Sequence, residues 1–127
     1  MSNKIKDRDV YNLAESFADE VWFLVSKWDY YAKDTTGKQM VRSSDSIGAN
    51  IAEGFGRFHY KENKNFCCFS RGSIIETKSW LKNAQTGSLI DQLVYQILLQ
   101  QLETIHLKIN GYIKFIGNKI NVTPNPG

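Results

Sequence analysis

A row of polar side chains runs through the middle of the chain at helical spacing. Its members are separated by 4, 4, 3 and 4 residues, and they are Arg42, Ser46, Asn50, Glu53 and Arg57. At about 3.6 residues per turn, this spacing places all of them on one face of a helix. Such a face can link neighbouring helices through hydrogen bonds and ion pairs, line a polar pocket or subunit contact, or supply a general acid–base. We favour the first interpretation, in which the row fixes the register of packed helices.

An acidic residue in a later segment, Glu76, is the expected counterpart of this row. It belongs to a stripe with steps of 3, 4, 3 and 4 residues, made of Phe66, Phe69, Ser73, Glu76 and Trp80. Because burial of an unpaired carboxylate is costly, the sequence predicts that Glu76 is buried and paired with an arginine, first Arg42 and second Arg71. We expect Asn50 and Glu53 to bond across helices or to backbone near helix ends. The predicted structural polar network comprises Arg42, Ser46, Asn50, Glu53, Arg71 and Glu76.

Motifs of enzymes and metalloproteins are missing from the sequence. It contains no glycine-rich phosphate loop and no His-x-x-x-His pair. Glu103 and His106 form one Glu-x-x-His motif, whereas a di-iron bundle uses two. The adjacent Cys67 and Cys68 point about 100° apart on a helix, and no second cysteine pair completes a zinc site. We therefore expect no enzymatic activity, no catalytic residue, no cofactor, no metal site and no small-molecule substrate.

Positive charge is concentrated in two short stretches. The net charge is +3. The charged residues after Glu103 are all lysines, Lys108, Lys114 and Lys119, and they account for this excess. A second cluster, Arg57, Lys61 and Lys64, alternates with aromatic residues, a pattern that suits base stacking together with phosphate contacts. Both stretches also suit ordinary solvated surface and helix ends. The candidate nucleic-acid-binding residues are Arg57, Lys61, Lys64, Lys108, Lys114 and Lys119.

The composition is that of one globular domain rich in helix. The 127 residues are 42% hydrophobic and 23% charged, and both prolines lie after Thr123. Four segments with helical apolar periodicity follow one another, with short turns between them. We expect the first to run from an N-cap at Asp9 to about residue 30, before a polar turn at 33–37. The others span about 38–55, 61–84 and 88–116.

Short connections place consecutive helices antiparallel, so the predicted fold is an all-α, up-down-up-down four-helix bundle. It covers residues 9–117, preceded by an N-terminal extension at 1–8 and followed by a flexible tail at 118–127. No signal peptide is recognisable, and no segment reaches the roughly 18 apolar residues of a membrane span. We therefore expect a cytoplasmic protein that makes no membrane contact.

Several large apolar residues fall outside the predicted core stripes of the first and fourth helices. They are Trp22, Phe23, Leu93, Leu99 and Leu107. A small monomer rarely exposes a large contiguous apolar patch. The sequence therefore predicts self-association through an interface supplied by these two helices.

Two sequence blocks resemble the signature of a known family. The first, within residues 39–57, contains the run Ser46-Ile47-x-x-Asn50-Ile51-Ala52-Glu53-Gly54. The second is Phe66-x-x-Phe69-Ser70-Arg71-Gly72-Ser73-x-x-Glu76. In order and spacing these blocks resemble the 23S rRNA intervening-sequence proteins. The chain departs from the pattern at Gly48, where the family commonly has proline, and at Val41, where it has a second arginine.

This resemblance implies a bacterial four-helix bundle assembled as a homopentamer, from reading frames inside insertions in large-subunit ribosomal RNA genes. A sister group, the accessory variability determinant of diversity-generating retroelements, is a basic pentamer that binds nucleic acid. The family has no established enzymatic activity. The expected function is therefore a non-enzymatic oligomeric bundle that binds RNA or a ribonucleoprotein partner through basic residues. The alternative is a protein-interaction scaffold that binds no nucleic acid.

Overall fold

The computed structural model describes the backbone of residues 2–122 and the side chains of residues 9–120. Four long helices make up most of this part of the chain: α1 (Ser2–Ser26), α2 (Lys38–Phe55), α3 (Tyr60–Thr86) and α4 (Gln92–Val122). Residues 2–122 contain no β-strand. The predicted bounds of α2 are confirmed to the residue, and those of α3 to within two residues at either end.

Contacts between the helices establish an antiparallel bundle. Gly48 of α2 lies against Glu15 of α1, and Ser70 of α3 donates to the carbonyl of Ile47 at 2.8 Å. Near the other ends of α3 and α4, the side chain of Asn63 donates to the Tyr112 hydroxyl at 3.2 Å. Each helix packs on its neighbour in the chain, and α4 closes the ring against α1 with fewer contacts. The predicted up-down-up-down four-helix bundle is therefore confirmed.

The connection between α1 and α2 differs from the prediction. The chain breaks after Ser26 and becomes helical again at a single turn, Tyr30–Ala32, where the Asp29 carboxylate accepts a hydrogen bond from the Ala32 amide at 2.9 Å. A π-helical turn, Lys33–Gly37, then leads directly into α2, so the polar turn predicted at 33–37 is wrong. Gly37 is buried, and a Cβ there would lie 2.6 Å from Val25 Cγ1. Because Gly37 has no side chain, α1 can approach this turn closely. The residue does not end a helix.

The ends of α1 and α4 also lie outside the predicted bounds. Helix α1 begins at Ser2, so the N-cap predicted at Asp9 is wrong. Helix α4 starts at Gln92 because Ser88 adopts a left-handed φ of 62° and the Asp91 carboxylate accepts from the Val94 amide at 2.8 Å. It continues to Val122, past the predicted end at residue 116. Residues 123–127 of the predicted tail lie outside the described residues.

The core follows the predicted stripes of α1, α2 and most of α4 but not that of α3. Buried residues on α3 are Asn63, Cys67, Ser70, Ile74, Thr77, Leu81 and Ala84. Phe69 of the predicted stripe is instead 57% exposed, and Ile97 of the predicted α4 stripe is 51% exposed. The reason is close packing: Thr77 of α3 bonds to the Ser43 hydroxyl of α2 and Ser70 to the Ile47 carbonyl, and small hydroxyl side chains fit that contact better than phenyl rings.

No described helix is both long enough and apolar enough to cross a bilayer.

Candidate nucleic-acid interface

The pair predicted between α2 and α3 is present, but it lies at the surface. Arg42 Nη2 is 2.9 Å from Glu76 Oε2, and this oxygen also accepts from Trp80 Nε1 at 3.2 Å. The side chains of Arg42 and Glu76 are 62% and 40% exposed, so the predicted burial of Glu76 is wrong. The buried row of α3 passes through the neighbouring positions Ile74 and Thr77, which turns Glu76 towards solvent.

The remaining members of the predicted polar network do not join this pair. Ser46 donates to the Arg42 carbonyl and Asn50 to the Ser46 carbonyl, each at 2.9 Å and within α2. Glu53 pairs with Arg57 one turn later at 3.1 Å. Of the two expected kinds of partner, neither residue has a described bond across helices; Asn50 bonds to backbone, within α2 and not at its end, and Glu53 bonds to a side chain.

Arg71, the second candidate partner of Glu76, turns towards α4 and donates to Asn110 Oδ1 at 3.0 Å. In the described residues, the row thus contacts α3 through its first and last members: Arg42 pairs with Glu76, and Arg57 lies 3.9 Å from Glu62 and over the ring of Phe66. Ser46, Asn50 and Glu53 support α2 itself, by bonds to its own backbone and by an ion pair across one turn.

Two other polar links between helices have no counterpart in the predicted network. Thr77 and Ser43 are joined by a buried hydrogen bond of 2.9 Å between their hydroxyl oxygens. Lys78 Nζ of α3 lies 2.6 Å from Glu103 Oε1 and 2.9 Å from His106 Nδ1 of α4. The hydrogen bond from Lys78 lowers the pKa of Glu103, and burial, followed by the charge of Lys78, lowers that of His106. In the sequence, the Glu-x-x-His spacing of Glu103 and His106 is the signal for the link to Lys78.

The two predicted basic clusters meet at one end of the bundle. Gly117 of α4 lies close to the amine of Lys64 on α3: a Cβ at position 117 would be 3.9 Å from the Lys64 Nζ. Four lysines near this point make no ion pair with any other described residue, and we call them the basic end: Lys61, Lys64, Lys114 and Lys119.

Two of the six candidate residues are neutralised by acids. Arg57 pairs with Glu53 at 3.1 Å and lies 3.9 Å from Glu62, and Lys108 pairs with Asp9 at 2.9 Å. Arg57 also lies over the ring of Phe66, 4.8 Å from its centroid. These two side chains are therefore less available to a phosphate than the four lysines of the basic end.

An exposed aromatic residue stands beside the basic end. Phe58, in the connection between α2 and α3, is 95% exposed and touches only the ring of His59 among the described aromatic contacts. A phenyl ring next to uncompensated amines can stack on an unpaired base while the amines contact phosphates.

Another part of the surface is acidic. Burial, together with the charges of Asp19 and Asp45, raises the pKa of Glu15, and burial together with Asp19 raises the pKa of Asp45. This acidic cluster of Glu15, Asp19 and Asp45 lies where α1 meets α2, and none of its members has a described cationic partner. It would repel a polyanion, so the charge of the molecule is polarised between two regions. Among the described residues, no group of three or more His, Cys, Asp or Glu side chains could hold a metal ion.

The five residues predicted to form a subunit interface differ in their exposure and surroundings. Leu93 and Leu107 of α4 are 69% and 72% exposed, and their spacing places them on one face of that helix. Trp22 instead lines a groove with residues of α2, and Phe23 is exposed next to it on α1. Leu99 is half-buried and packs on the core, so its assignment to the outer surface is wrong.

The sequence between residues 6 and 111 matches the family model described as 23S rRNA-intervening sequence protein. The chain belongs to this family. A crystal structure from Bacteroides thetaiotaomicron, described as a protein of unknown function from the S23 ribosomal protein family, has a similar bundle. The TM-score is 0.78 at 24% sequence identity, and the match covers 86% of this chain and 98% of the other. At this identity the likeness shows a shared fold. No curated protein matches the sequence.

Three members of the polar row, Ser46, Asn50 and Glu53, lie within the run Ser46–Gly54 that resembles the family signature. Within this run Ile47, Gly48, Ile51 and Gly54 are buried, whereas Ala49, Ala52 and Glu53 are exposed. A Cβ at Gly54 would lie 2.7 Å from Asn63 Oδ1, so the glycine lets α3 approach α2. The buried part of the run therefore packs the bundle, and its other part faces solvent.

Proposed function

We propose that this member of the 23S rRNA-intervening sequence family is a non-enzymatic, self-associating bundle that binds structured RNA through its basic end. The observation that carries the proposal is the meeting of Lys61 and Lys64 with Lys114 and Lys119 without acidic partners among the described residues. Amines in this state bind phosphates by releasing condensed counterions, whatever the base sequence.

Four lysines per chain are a small patch for a nucleic-acid-binding protein. In a cyclic homo-oligomer, such as the pentamer that the family resemblance implies, each subunit would add its own basic end to one rim. Linked weak contacts then gain avidity without any new contact being formed. The acidic cluster on α1 and α2 would orient RNA towards that rim by repulsion.

The test compares wild type with the double variant Lys61→Glu/Lys114→Glu in binding to structured ribosomal RNA across a salt series. Both lysines are exposed, so the fold should survive. Loss of two phosphate contacts should weaken binding and make the slope of log affinity on log salt shallower by about 2. The matched control is Lys27→Glu/Lys82→Glu, which makes the same charge change at exposed positions at the other end of the bundle.

Equal losses in the two variants would indicate that net charge, and no particular site, attracts RNA. Equal affinity in wild type and the basic-end variant, or affinity independent of salt, would contradict the proposal. That result would favour the alternative of a protein-interaction scaffold that binds no nucleic acid.

A further inference from the structure

A groove of about 490 Å³ lies between the last turns of α1 and the beginning of α2. Because the helices alternate in direction, this is the end of the bundle opposite the basic end. The floor and walls include Val25, Val41, Trp22 and Tyr30. Its volume lies within the range of about 300–1,000 Å³ that is usual for sites that bind small organic groups.

The π-helical turn Lys33–Gly37 supplies three residues of the groove lining, Lys33, Asp34 and Gly37. A π-turn holds more residues than an α-turn and so widens the helix, and such turns occur often at functional sites. Here Gly37 allows the widened turn to sit against Val25 and Trp28 of the preceding segment. Tyr30 precedes this turn and Val41 follows it, and both line the groove together with Trp22.

Two aromatic side chains at the groove are exposed to solvent. Trp22 is 60% exposed and Tyr30 is 80% exposed, whereas large aromatic side chains are usually more buried than this. Exposed aromatic rings beside open apolar space are suited to stacking on a planar ligand, and every nucleobase offers such a face.

The charges around the groove select the class of ligand. Lys33 and Lys38 line it and make no ion pair with any described residue. Arg42 is held by Glu76, and Asp34 is the one carboxylate among the described lining residues. The lining is therefore net positive. Both lysines are exposed, so their amines are free to contact a phosphate, which a purely apolar occupant does not offer.

We propose that this groove binds an unpaired nucleotide of single-stranded RNA, with the base against Trp22 and Tyr30 and the phosphates at Lys33 and Lys38. The inference rests on the proposed function for the class of partner, RNA, but it concerns a different site. The two sites would bind different parts of the RNA: the basic end binds structured RNA by charge, and the groove binds a flexible, unpaired segment.

The test uses a fluorescein-labelled uridine decamer and an RNA duplex of the same length, with anisotropy for affinity and tryptophan fluorescence for contact with the ring. Wild type should bind the decamer more tightly than the duplex, and binding should quench tryptophan emission. Trp22→Ala and Tyr30→Ala should each weaken binding of the decamer by about 5- to 150-fold, the range of lost stacking on one base. Lys33→Gln/Lys38→Gln should weaken it and reduce its salt dependence.

Matched controls lie in the same segment but outside the groove. Tyr31 is 78% exposed and does not belong to the described lining, so Tyr31→Ala should bind the decamer like wild type. Lys27→Gln should do the same, because this lysine is exposed and also lies outside the described lining.

The outcomes separate the two proposals. Decamer binding that the groove variants leave unchanged would overturn the groove and leave the basic end standing. Quenching by the decamer without any effect of the basic-end variant on structured RNA would support the groove and contradict the proposed function. A wild type that binds neither RNA would overturn both. If Trp22→Ala changes the oligomeric state and not RNA binding, a second copy of the chain occupies the groove, and the proposal is wrong.

Discussion

Thr77 Oγ1 and Ser43 Oγ lie 2.9 Å apart in the interior, between α3 and α2, with both side chains at most 1% exposed. Thr77 Oγ1 also lies 2.7 Å from the carbonyl of Ser73, so the pair is tied to the backbone. A buried hydroxyl that loses its partner keeps its desolvation penalty, whereas removal of both hydroxyls can be almost neutral.

Ser43 Oγ keeps the carbonyl of Met40 at 3.3 Å when Thr77 is removed, so we expect Thr77→Val to lower the free energy of unfolding by about 0.5–1.5 kcal/mol, the net worth of a hydrogen bond. The double variant Ser43→Ala/Thr77→Val should cost less than the sum of the two single variants, because each single variant already loses the bond between the two hydroxyls. Chemical denaturation of all four proteins completes the double-mutant cycle. Strict additivity would show that the two hydroxyls are not coupled.

A second prediction concerns the surface pair Arg42–Glu76. The sequence led us to expect a buried pair, whose disruption costs about 3–5 kcal/mol. Since both side chains are substantially exposed, Glu76→Ala should instead lower the free energy of unfolding by at most about 1 kcal/mol. Urea denaturation at low and high salt measures the effect, which should shrink as salt screens the pair. A loss above about 2 kcal/mol would mean that the pair is desolvated in solution, for example by a second subunit.

Glycines in the helices divide into two groups that should respond oppositely to alanine. A Cβ at Gly72 or Gly111 would meet no atom within 4 Å, so alanine should stabilise either site by about 0.5–1 kcal/mol through helix propensity. Neither glycine therefore marks a close approach of two helices. At Gly37 a Cβ would lie 2.6 Å from Val25 Cγ1 and 3.0 Å from the Ala32 carbonyl, so alanine should destabilise. Thermal unfolding of the three variants checks both signs.

The acidic cluster on α1 and α2 predicts a pH dependence of stability. Burial and neighbouring carboxylates raise the pKa values of Glu15 and Asp45 in the folded state. The folded protein then binds more protons than the unfolded chain near the ordinary carboxyl range, so this cluster disfavours folding at neutral pH and the penalty fades as the pH falls. Asp45→Asn should therefore stabilise the protein at pH 7, with a smaller gain below about pH 4.

The control is Glu20→Gln, which removes an exposed carboxylate of α1 that is not among the charges acting on Glu15 or Asp45. Denaturation midpoints at several pH values measure both variants. The opposite trend is expected at Glu103, whose pKa the hydrogen bond from Lys78 lowers. Its contribution is present above the ordinary carboxyl pKa and is lost on acidification.

Helical periodicity predicted the fold because the buried rows of α1 and α4 are apolar, and because Met40, Ile47 and Ile51 mark the buried face of α2 at helical spacing. It failed on α3, whose buried face uses Ser70 and Thr77, which hydropathy treats as polar. Packing against the small residues of α2 decided which face turns inward, and this information lies in a tertiary contact. Charge compensation correctly predicted the pair Arg42–Glu76, although this pair is exposed and not buried as we expected. The groove was missed because residues 33–37 have turn composition, whereas in the structure they are helical and Gly37 packs against Val25.

We expect the protein to self-associate, and the exposed apolar face of α4 offers the sharpest test. Leu93, Ile97 and Leu107 are all more than half exposed and share one face of that helix. Because Leu107 makes little contact within its own chain, Leu107→Glu should leave the fold intact and weaken the oligomer by placing a charge in an apolar contact. Sedimentation velocity at micromolar concentration should show wild type as an oligomer and the variant shifted towards monomer. Phe69→Glu, which changes a 57% exposed aromatic residue on α3, is the control and should sediment like wild type. A wild-type monomer would refute self-association, and an oligomer that resists Leu107→Glu would move the interface away from this face of α4.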